Sequence, residues 1–378
     1  MAEPCCAWTA GTERNASEQS THRTLGRVRV TQALDRVRQA ARQRKKERFT
    51  ALLHHLSIDL FREAFLALKR DAAPGVDDVT WRTYAADLER NLTGLHARVH
   101  RGAYRALPSR RTYIPKADGR QRPLAVAALE DKIVQRATVA VLNSIYEEEF
   151  LGFSYGFRPK RGQHDALDAL VVGSTGKRVN FILDAGVRSF FDEVSQGWLV
   201  RFVEHRIGDP RIVRLIQKWL KAGVLEDGVV TVSDKGTGQG SAISPLLANV
   251  YLHYVFDLWA DRWRRREATG DAIIVRYADD IVVGFEHEVM PEACFQHDAR
   301  RLLGRDAEPV RGVCAVAPSG QDPPDRVWSP CGGQTREGWA RQAGDLQLPG
   351  LHLHLWALPC GPVPCQKEIP ARSHADEA

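Results

Sequence analysis

The sequence predicts an α+β protein, and two patterns along the 378-residue chain support that prediction. Residues 58–70 carry apolar side chains at helical spacing, among them Leu60 and Phe65, which is typical of an amphipathic helix. From Tyr113 onward, short apolar runs rich in β-branched residues alternate with further helical stretches, which favours strands and helices mixed in one domain. The chain is long enough for two or three packed units.

Charge, hydropathy and cysteine content bound the possible function classes. The formal net charge of +6 and the pI near 9.0 are compatible with a polyanionic partner, although net charge reports non-specific binding rather than fold. No apolar run is long enough to cross a bilayer, and the N-terminus lacks a secretory-signal pattern. No cysteine lies between residues 7 and 293, which excludes a cysteine metal site or disulfide framework there. We therefore expect a reducing cytoplasm and no membrane partner.

Residues 1–57 form a basic N-terminal extension. Residues 1–25 are polar and lack periodicity, so we expect them to be disordered. Residues 42–48 read Arg-Gln-Arg-Lys-Lys-Glu-Arg, which fits either a solvated helix face or an arm that contacts phosphates. The sequence Ala-Pro-Gly-Val-Asp at 73–77 predicts a turn after the first amphipathic helix, and a second helix is predicted from Tyr84 to Val99.

Two loops in the middle of the chain have the composition of phosphate-contacting elements. Residues 111–124 predict a basic β-hairpin around an Asp-Gly turn, with Lys116 and Arg122 on either side and able to reach one triphosphate. Residues 236–241 form a glycine-rich loop that leads into an apolar helix, an arrangement that permits close approach to a phosphate or base. Taken alone, each motif also fits an ordinary surface loop.

The sharpest local signal lies in residues 272–285. Two apolar β-branched runs flank Asp279 and Asp280, which predicts a hairpin with both acids at its tip. Adjacent carboxylates on a rigid turn can hold divalent ions for displacement of pyrophosphate, although an ordinary Asp-rich turn has the same pattern.

The order of these motifs resembles the reverse transcriptases encoded by group II introns. Six ordered blocks, spread over some 220 residues, carry the resemblance: Ala-Pro-Gly-Val-Asp at 73–77, Tyr-Ile-Pro-Lys-Ala-Asp-Gly at 113–119, Leu-Glu-Asp-Lys-Ile-Val-Gln at 129–135, Ser-Tyr-Gly-Phe-Arg-Pro at 154–159, Ser-Pro-Leu-Leu-Ala-Asn at 244–249 and Tyr-Ala-Asp-Asp at 277–280. The resemblance implies the fingers and palm of a right-hand polymerase, followed by a helical thumb that also binds intron RNA. It implies an RNA-directed DNA polymerase and intron maturase in a bacterial cytoplasm.

The resemblance also assigns nucleotide-binding roles. Lys116 and Arg122 would neutralise the phosphates of an incoming deoxynucleoside triphosphate. Gln239 and Gly240 would lie against that nucleotide and the template. Phe191 would stand where the family blocks a ribose 2′-hydroxyl, which favours deoxynucleotides. The implied partners are group II intron RNA and a DNA target or primer.

The expected metal site departs from the family pattern. Asp279 and Asp280 would be palm carboxylates that hold two Mg²⁺ ions, with a third acid on a strand that reads Asp-Ile-Arg-x-Phe-Phe-Asp. Alignment on residues 190–192 puts Gly186 where that acid belongs. Asp184 is two residues upstream, displaced by about 6–7 Å on the same strand face, whereas carboxylate–Mg²⁺ contacts need about 2.0–2.1 Å. Asp184 could serve as the catalytic metal ligand only if a bulge shifted the strand register.

The composition changes near residue 290. Eleven of the nineteen prolines and five of the seven cysteines follow it. Disorder alone does not explain this, because cysteine is depleted in disordered tails. With permitted codons, a one-nucleotide shift turns residues 320–329 into Asp-Lys-Thr-Arg-Leu-Ile-Glu-Phe-Gly. The same shift turns residues 347–356 into Asn-Phe-Leu-Gly-Phe-Thr-Phe-Ile-Cys. Both strings follow the order expected of the related reverse transcriptases, so we expect a frameshift near residue 290.

These observations predict four regions: an N-terminal extension at 1–57, fingers at 58–175, a palm at 176–289 and an out-of-frame, disordered tail at 290–378 that replaces the thumb. The leading hypothesis is a reverse transcriptase and maturase whose chemistry is impaired in this copy. One alternative is a non-catalytic splicing factor that binds intron RNA, although the missing thumb counts against it. Another is a reverse transcriptase of the retron or phage-defence kind, which the blocks at 129–135 and 244–249 disfavour.

Overall fold

The structure is a computed structural model that describes residues 10–115, 119, 121–187, 190–238, 240–287, 346–348, 351–353 and 356–359. For residues 10–25 and for the last three segments it describes the backbone alone.

Helices and strands are mixed along the chain, which confirms the α+β class. The helices are α1 (Ala10–Gln43), α2 (Ile58–Leu66), α3 (Trp81–Ala86), α4 (Leu88–His100), α5 (Leu129–Tyr146), α6 (Gln163–Gly176), α7 (Phe190–Glu193), α8 (Gln196–Arg206), α9 (Pro210–Leu220), α10 (Ser244–Leu252) and α11 (Leu258–Arg266). The strands are β1 (Ser109–Pro115), β2 (Gln121–Val126), β3 (Phe181–Gly186), β4 (Val224–Glu226), β5 (Val229–Thr231), β6 (Ala272–Tyr277), β7 (Asp280–Phe285), β8 (Leu346–Leu348), β9 (Leu351–Leu353) and β10 (Trp356–Pro359). Of the helices described, none is both long and apolar enough to cross a membrane.

Two four-stranded sheets organise these elements. One has the order β2-β1-β4-β5 and contains the predicted basic hairpin, in which Ile114 pairs with Arg122. The other has the order β10-β3-β7-β6 and contains the predicted acidic hairpin. A helical core joins the sheets, and α5 lies at its centre with Ile133, Val134 and Leu142 fully buried. The acidic hairpin therefore belongs to a sheet that a well-packed helical core supports.

The N-terminal segment is fastened to α8 and α9 rather than loosely attached. Asp209 is fully buried and accepts hydrogen bonds of 2.8 and 3.0 Å from the backbone amides of residues 52–53. Burial alone would raise the pKa of Asp209, but hydrogen bonds from Arg211 and from those backbone amides outweigh it and lower the pKa. Buried Arg206 donates a hydrogen bond of 3.3 Å to the carbonyl oxygen of Ala41. These contacts join residues 41–53 to the folded core.

The structure corrects two expectations about the N-terminal half. Disorder was expected over residues 1–25, but the backbone from Ala10 onward belongs to α1. This helix is held by Val30, Val37 and Ala41, which are spaced to share one buried face. The single helix expected from Tyr84 to Val99 is instead two helices, because the backbone breaks at Asp87 (φ −123°, ψ 42°).

Most of the expected out-of-frame tail lies outside the described residues. Ten of its residues form β8, β9 and β10, and the expectation of disorder for the tail as a whole stays a prediction. β10 pairs antiparallel with β3, with Trp356 opposite Asp184. An open edge of β3 would expose unpaired backbone groups, and pairing with β10 satisfies them.

Candidate active site

The acidic hairpin has the geometry that the sequence predicts. Tyr277 pairs with Asp280 across β6 and β7, which leaves Ala278 and Asp279 as a two-residue loop. Ala278 has φ +57°, a conformation that costs energy in any residue with a Cβ atom. Backbone contacts hold the loop in place, among them a 3.2 Å hydrogen bond from the amide of Val187 to the carbonyl oxygen of Asp279.

Gly186 lies directly opposite the acidic tip. β3 and β7 pair without interruption over six residues, from Phe181 opposite Phe285 to Gly186 opposite Asp280. A Cβ atom built on Gly186 would lie 3.7 Å from Oδ1 of Asp280 and would meet nothing else within 4 Å. A longer side chain at position 186 would thus extend into space beside the Asp280 carboxylate.

The charge of Asp184 affects the pKa of Asp280, but Asp184 does not lie opposite Asp280 in the strand pairing. In the uninterrupted register Asp184 pairs with Val282, two residues from Asp280 along β7, and no bulge brings it closer. Partial burial raises the pKa of Asp280, and the negative charges of Asp279 and Asp184 raise it further. Repulsion of this kind is what a bound cation would relieve.

The residues present do not fit a two-ion metal centre. Such a centre needs carboxylates from two strands that converge on ions about 3.5–4 Å apart. Asp279 and Asp280 come from one hairpin, and position 186 on the facing strand has no side chain. Within the described part of the chain, no three His, Cys, Asp or Glu side chains are grouped closely enough to hold a metal ion.

A fully buried arginine fixes the hairpin from behind. Arg276 pairs with both carboxylate oxygens of the fully buried Asp257 at 2.7 Å. Its guanidinium also donates to the carbonyl oxygen of Ala278 at 2.8 Å, to Asn249 at 3.0 Å and to Ser154 at 2.7 Å. The geometry of the strained turn therefore depends on a buried ion pair.

The loop at 154–157 packs against the same turn. A Cβ atom at Gly156 would lie 2.2 Å from the amide nitrogen of Ala278, so only glycine allows this approach. The side-chain amide of Asn249 donates to the carbonyl oxygen of Gly156 at 2.7 Å. Three of the six sequence blocks, at 154–159, 244–249 and 277–280, thus meet behind the acidic tip.

The glycine-rich loop lies beside Phe191. Gly236 has φ +83°, and a Cβ atom there would lie 2.9 Å from the carbonyl oxygen of Phe191. Gly240 has φ +104°, and a Cβ atom there would lie 2.7 Å from the carbonyl oxygen of Ala125 on β2. Phe191 and the loop line a cavity of about 250 Å³, together with Arg111 of β1. The loop, Phe191 and the basic hairpin therefore border one cavity.

The remaining candidate residues are only partly located. Arg122 is exposed on β2, next to the turn of the basic hairpin. Lys116 and Gln239 lie outside the described residues. A shared phosphate site for Lys116 and Arg122 therefore stays a prediction.

Comparison with known proteins agrees with this arrangement. Residues 114–303 match the family described as "Reverse transcriptase (RNA-dependent DNA polymerase)". The chain belongs to this reverse transcriptase family. The match covers the turn and the second strand of the basic hairpin, the glycine-rich loop and the acidic hairpin.

Related reverse transcriptase sequences include Protein YkfC of Escherichia coli K12, which is 36% identical over 209 residues that cover 54% of this chain and 55% of YkfC. The group II intron-encoded protein LtrA of Lactococcus lactis is 32% identical over 222 residues, which cover 58% of this chain and 37% of LtrA. This reverse transcriptase therefore spans about half of YkfC and just over a third of LtrA. A solved chain of a "Partial Cas6-RT-Cas1--Cas2 complex" aligns with 62% of this chain and 38% of its own length, at 19% identity and a TM-score of 0.38.

Sequence reasoning missed Arg276 and Asp257 in this reverse transcriptase. The available signal was a lone arginine inside the apolar strand Ala272–Tyr277, because a charged residue within a buried strand requires a buried partner. The identity of that partner depends on packing between distant segments, which the local pattern does not contain.

Proposed function

We propose that this chain descends from an RNA-directed DNA polymerase and maturase that acts in group II intron splicing and mobility, and that its polymerase chemistry is impaired. The observation that carries the proposal is the position of Gly186. It faces Asp280 across an uninterrupted pair of strands, where a carboxylate would complete the acidic cluster.

Asp279 and Asp280 are the catalytic carboxylates of the proposal, and Mg²⁺ is the cofactor that they would bind together with an acid at position 186. Asp184 is the reserve candidate, because it lies on the same face of β3 two residues away. A regular antiparallel strand rises about 3.4 Å per residue, and a rotamer change does not span two residues. The proposal therefore assigns the loss of activity to position 186.

The nucleotide would bind beside the acidic tip. Phe191 packs edge-to-face against Phe157, with ring centroids 6.1 Å apart, so its ring is held in place and could exclude a ribose 2′-hydroxyl. Gly240 would allow a base or phosphate to approach the backbone, and Gln239 would lie next to it. Lys116 and Arg122 would bind the triphosphate, with a DNA primer or target as the second substrate.

RNA is the proposed polymeric partner, and group II intron RNA is the specific form. The basic residues at 42–48 begin in the last turn of α1 and continue beyond it, and this helix is anchored to the core. Phosphate contacts release counterions, so binding of single-stranded RNA should weaken with a log–log salt slope of about −0.7 per contact. Filter binding that does not change between low and physiological salt would contradict this partner.

Primer extension on an RNA template with Mg²⁺ tests the catalytic part. The chain as it stands should extend primers very poorly. Gly186→Asp should increase extension, and Asp279→Ala in that background should abolish the gain. Full recovery should also require a C-terminus read in the corrected frame, because the thumb that holds the duplex is proposed to be missing. Strong extension by the unmodified chain that Asp184→Ala abolishes would show that Asp184 is the ligand.

The tail proposal has a direct test in the gene itself. The nucleotide sequence beyond codon 290, read in all three frames, should contain the thumb in a frame shifted by one nucleotide. The proposed regions at 58–175 and 176–289 would then be intact fingers and palm. A single open frame without hidden similarity would contradict the frameshift.

A second candidate function is a non-catalytic splicing factor that binds intron RNA. The hydrogen bonds of Arg276 favour this second function. They are all formed behind the acidic hairpin, although position 186 lacks the acid that catalysis would need. A splicing assay with the intron RNA, run without deoxynucleotides, separates the two functions. For both candidate functions we propose the bacterial cytoplasm as the location, since no cysteine lies between residues 7 and 293.

A further inference from the structure

A second cavity, of about 260 Å³, lies outside the acidic site. It is bounded by the loop that joins α2 to α3 and by the first two turns of α5. Its lining includes Lys69, Val79, Trp81, Lys132 and Arg136, and none of the acidic or glycine-rich loop residues borders it.

The lining of this cavity is cationic. Lys69, Lys132 and Arg136 contribute positive charges, and among the described residues no acidic side chain lines the cavity. The ammonium of Lys132 donates a 2.9 Å hydrogen bond to the carbonyl oxygen of Ala73, which orients it. Burial lowers the pKa of Lys132, and nearby Asp77 offsets this only in part. An anion in the cavity would stabilise the charged form.

The other wall is aromatic and rigid. Trp81 stacks on Phe65 with ring centroids 4.7 Å apart, and its indole donates a 3.3 Å hydrogen bond to the carbonyl oxygen of Phe65. The loop itself is pinned, because a Cβ atom on Gly75 would lie 2.4 Å from the Cα atom of Ala128. Lys132 and the indole of Trp81 therefore keep fixed positions without a ligand, which lowers the entropy cost of binding.

We infer that this cavity binds one phosphate-bearing nucleotide unit. Three cations suit a phosphate. The indole edge and the apolar residues suit a sugar or base. The volume lies below the roughly 300–1,000 Å³ typical of sites that enclose a whole small ligand, so the rest of the molecule would extend into solvent. A unit of a single-stranded RNA and a free nucleotide share this chemistry. The inference rests on the proposed function only for the choice of RNA as a probe.

Binding of a fluorescent single-stranded RNA to the full chain gives the first test. The double substitution Lys69→Gln/Arg136→Gln removes two exposed charges from the cavity and leaves the contact of Lys132 in place. Arg214→Gln/Lys221→Gln removes two exposed charges from another surface and is the matched control. The cavity variant should bind at least about tenfold more weakly, because charge-assisted phosphate contacts are lost. Its salt slope should be shallower by about 0.7 for each lost contact.

Lysine acetylation read by mass spectrometry gives a local test. RNA that occupies the cavity should protect Lys69 and Lys132 from acetylation in the unmodified chain. Protection by adenosine monophosphate as well would identify a free-nucleotide site, and protection by RNA alone would identify a strand subsite. Equal losses of affinity in both double variants, or no protection of Lys132 by either probe, would overturn the inference. Neither assay needs polymerisation, so a chain that extends no primer can still show the site.

Discussion

Replacement of Arg276 by methionine should be among the most destabilising single changes in this protein. Methionine replaces only the aliphatic part of the arginine side chain and leaves the carboxylate of Asp257 fully buried without its guanidinium partner. Loss of one partner of a buried ion pair costs about 3–5 kcal/mol. The carbonyl oxygen of Ala278 also loses its donor from the guanidinium. Since domains are stable by only about 5–15 kcal/mol, this is a large share of the total.

The measurement is urea unfolding followed by far-ultraviolet circular dichroism. With a denaturant slope near 3 kcal/mol/M, the expected loss lowers the midpoint by about 1–1.7 M. Arg262→Met, an exposed arginine on α11, is the matched control and should change stability by less than about 0.5 kcal/mol.

A double variant distinguishes the buried charge from simple loss of packing. Arg276→Met combined with Asp257→Leu removes both charges, and such apolar replacements are often neutral or stabilising by about 1–4 kcal/mol relative to the ion pair. The double variant should therefore be more stable than Arg276→Met alone. The reasoning is refuted if the double variant is the less stable of the two, or if Arg276→Met behaves like Arg262→Met.

Three further outcomes are expected in the same unfolding assay. Gly156→Ala should destabilise by about 1–3 kcal/mol, because its Cβ atom would lie 2.2 Å from the amide of Ala278, whereas Gly152→Ala meets nothing within 4 Å and should be neutral. Ser57→Ala should cost about 1 kcal/mol, since its hydroxyl caps α2 through the amide of Leu60, and equal stability would contradict that role. Burial raises the pKa of Asp131 to about 6. The protonated carboxyl group therefore adds to the free energy of unfolding fully below about pH 3.9, and this stabilisation is lost as the pH rises through about 6. Asp131→Asn should therefore gain stability relative to the parent between those pH values, and a constant difference would argue against the raised pKa.

The elements with a strong local period could be predicted from sequence. Two β-branched runs around Asp279 and Asp280 predicted the hairpin, and the structure confirms it. The helix expected over 58–70 is present as α2, although it ends at Leu66. The alignment of residues 190–192 assigned Gly186 to the position of the missing acid, and the structure adds that Gly186 lies opposite Asp280.

Features that depend on distant packing could not be predicted. α1 has a sparse apolar face, and its burial depends on α2 and α5, which lie later in the chain. The break at Asp87 has no glycine or proline to signal it. Asp209 is an ordinary helix-capping residue in the sequence, yet the same carboxylate also binds the amides of residues 52–53.

The contact between Asp209 and residues 52–53 has a consequence for synthesis of the protein on the ribosome. The N-terminal segment leaves the ribosome first, but the carboxylate that secures it follows some 156 residues later. At roughly 5–20 residues per second, that interval lasts about 8 to 30 s. During this time the backbone amides of Leu52 and Leu53 lack the carboxylate that accepts their hydrogen bonds in the folded protein. A nascent chain stalled before codon 209 should therefore be more sensitive to protease in this segment than one stalled after α9.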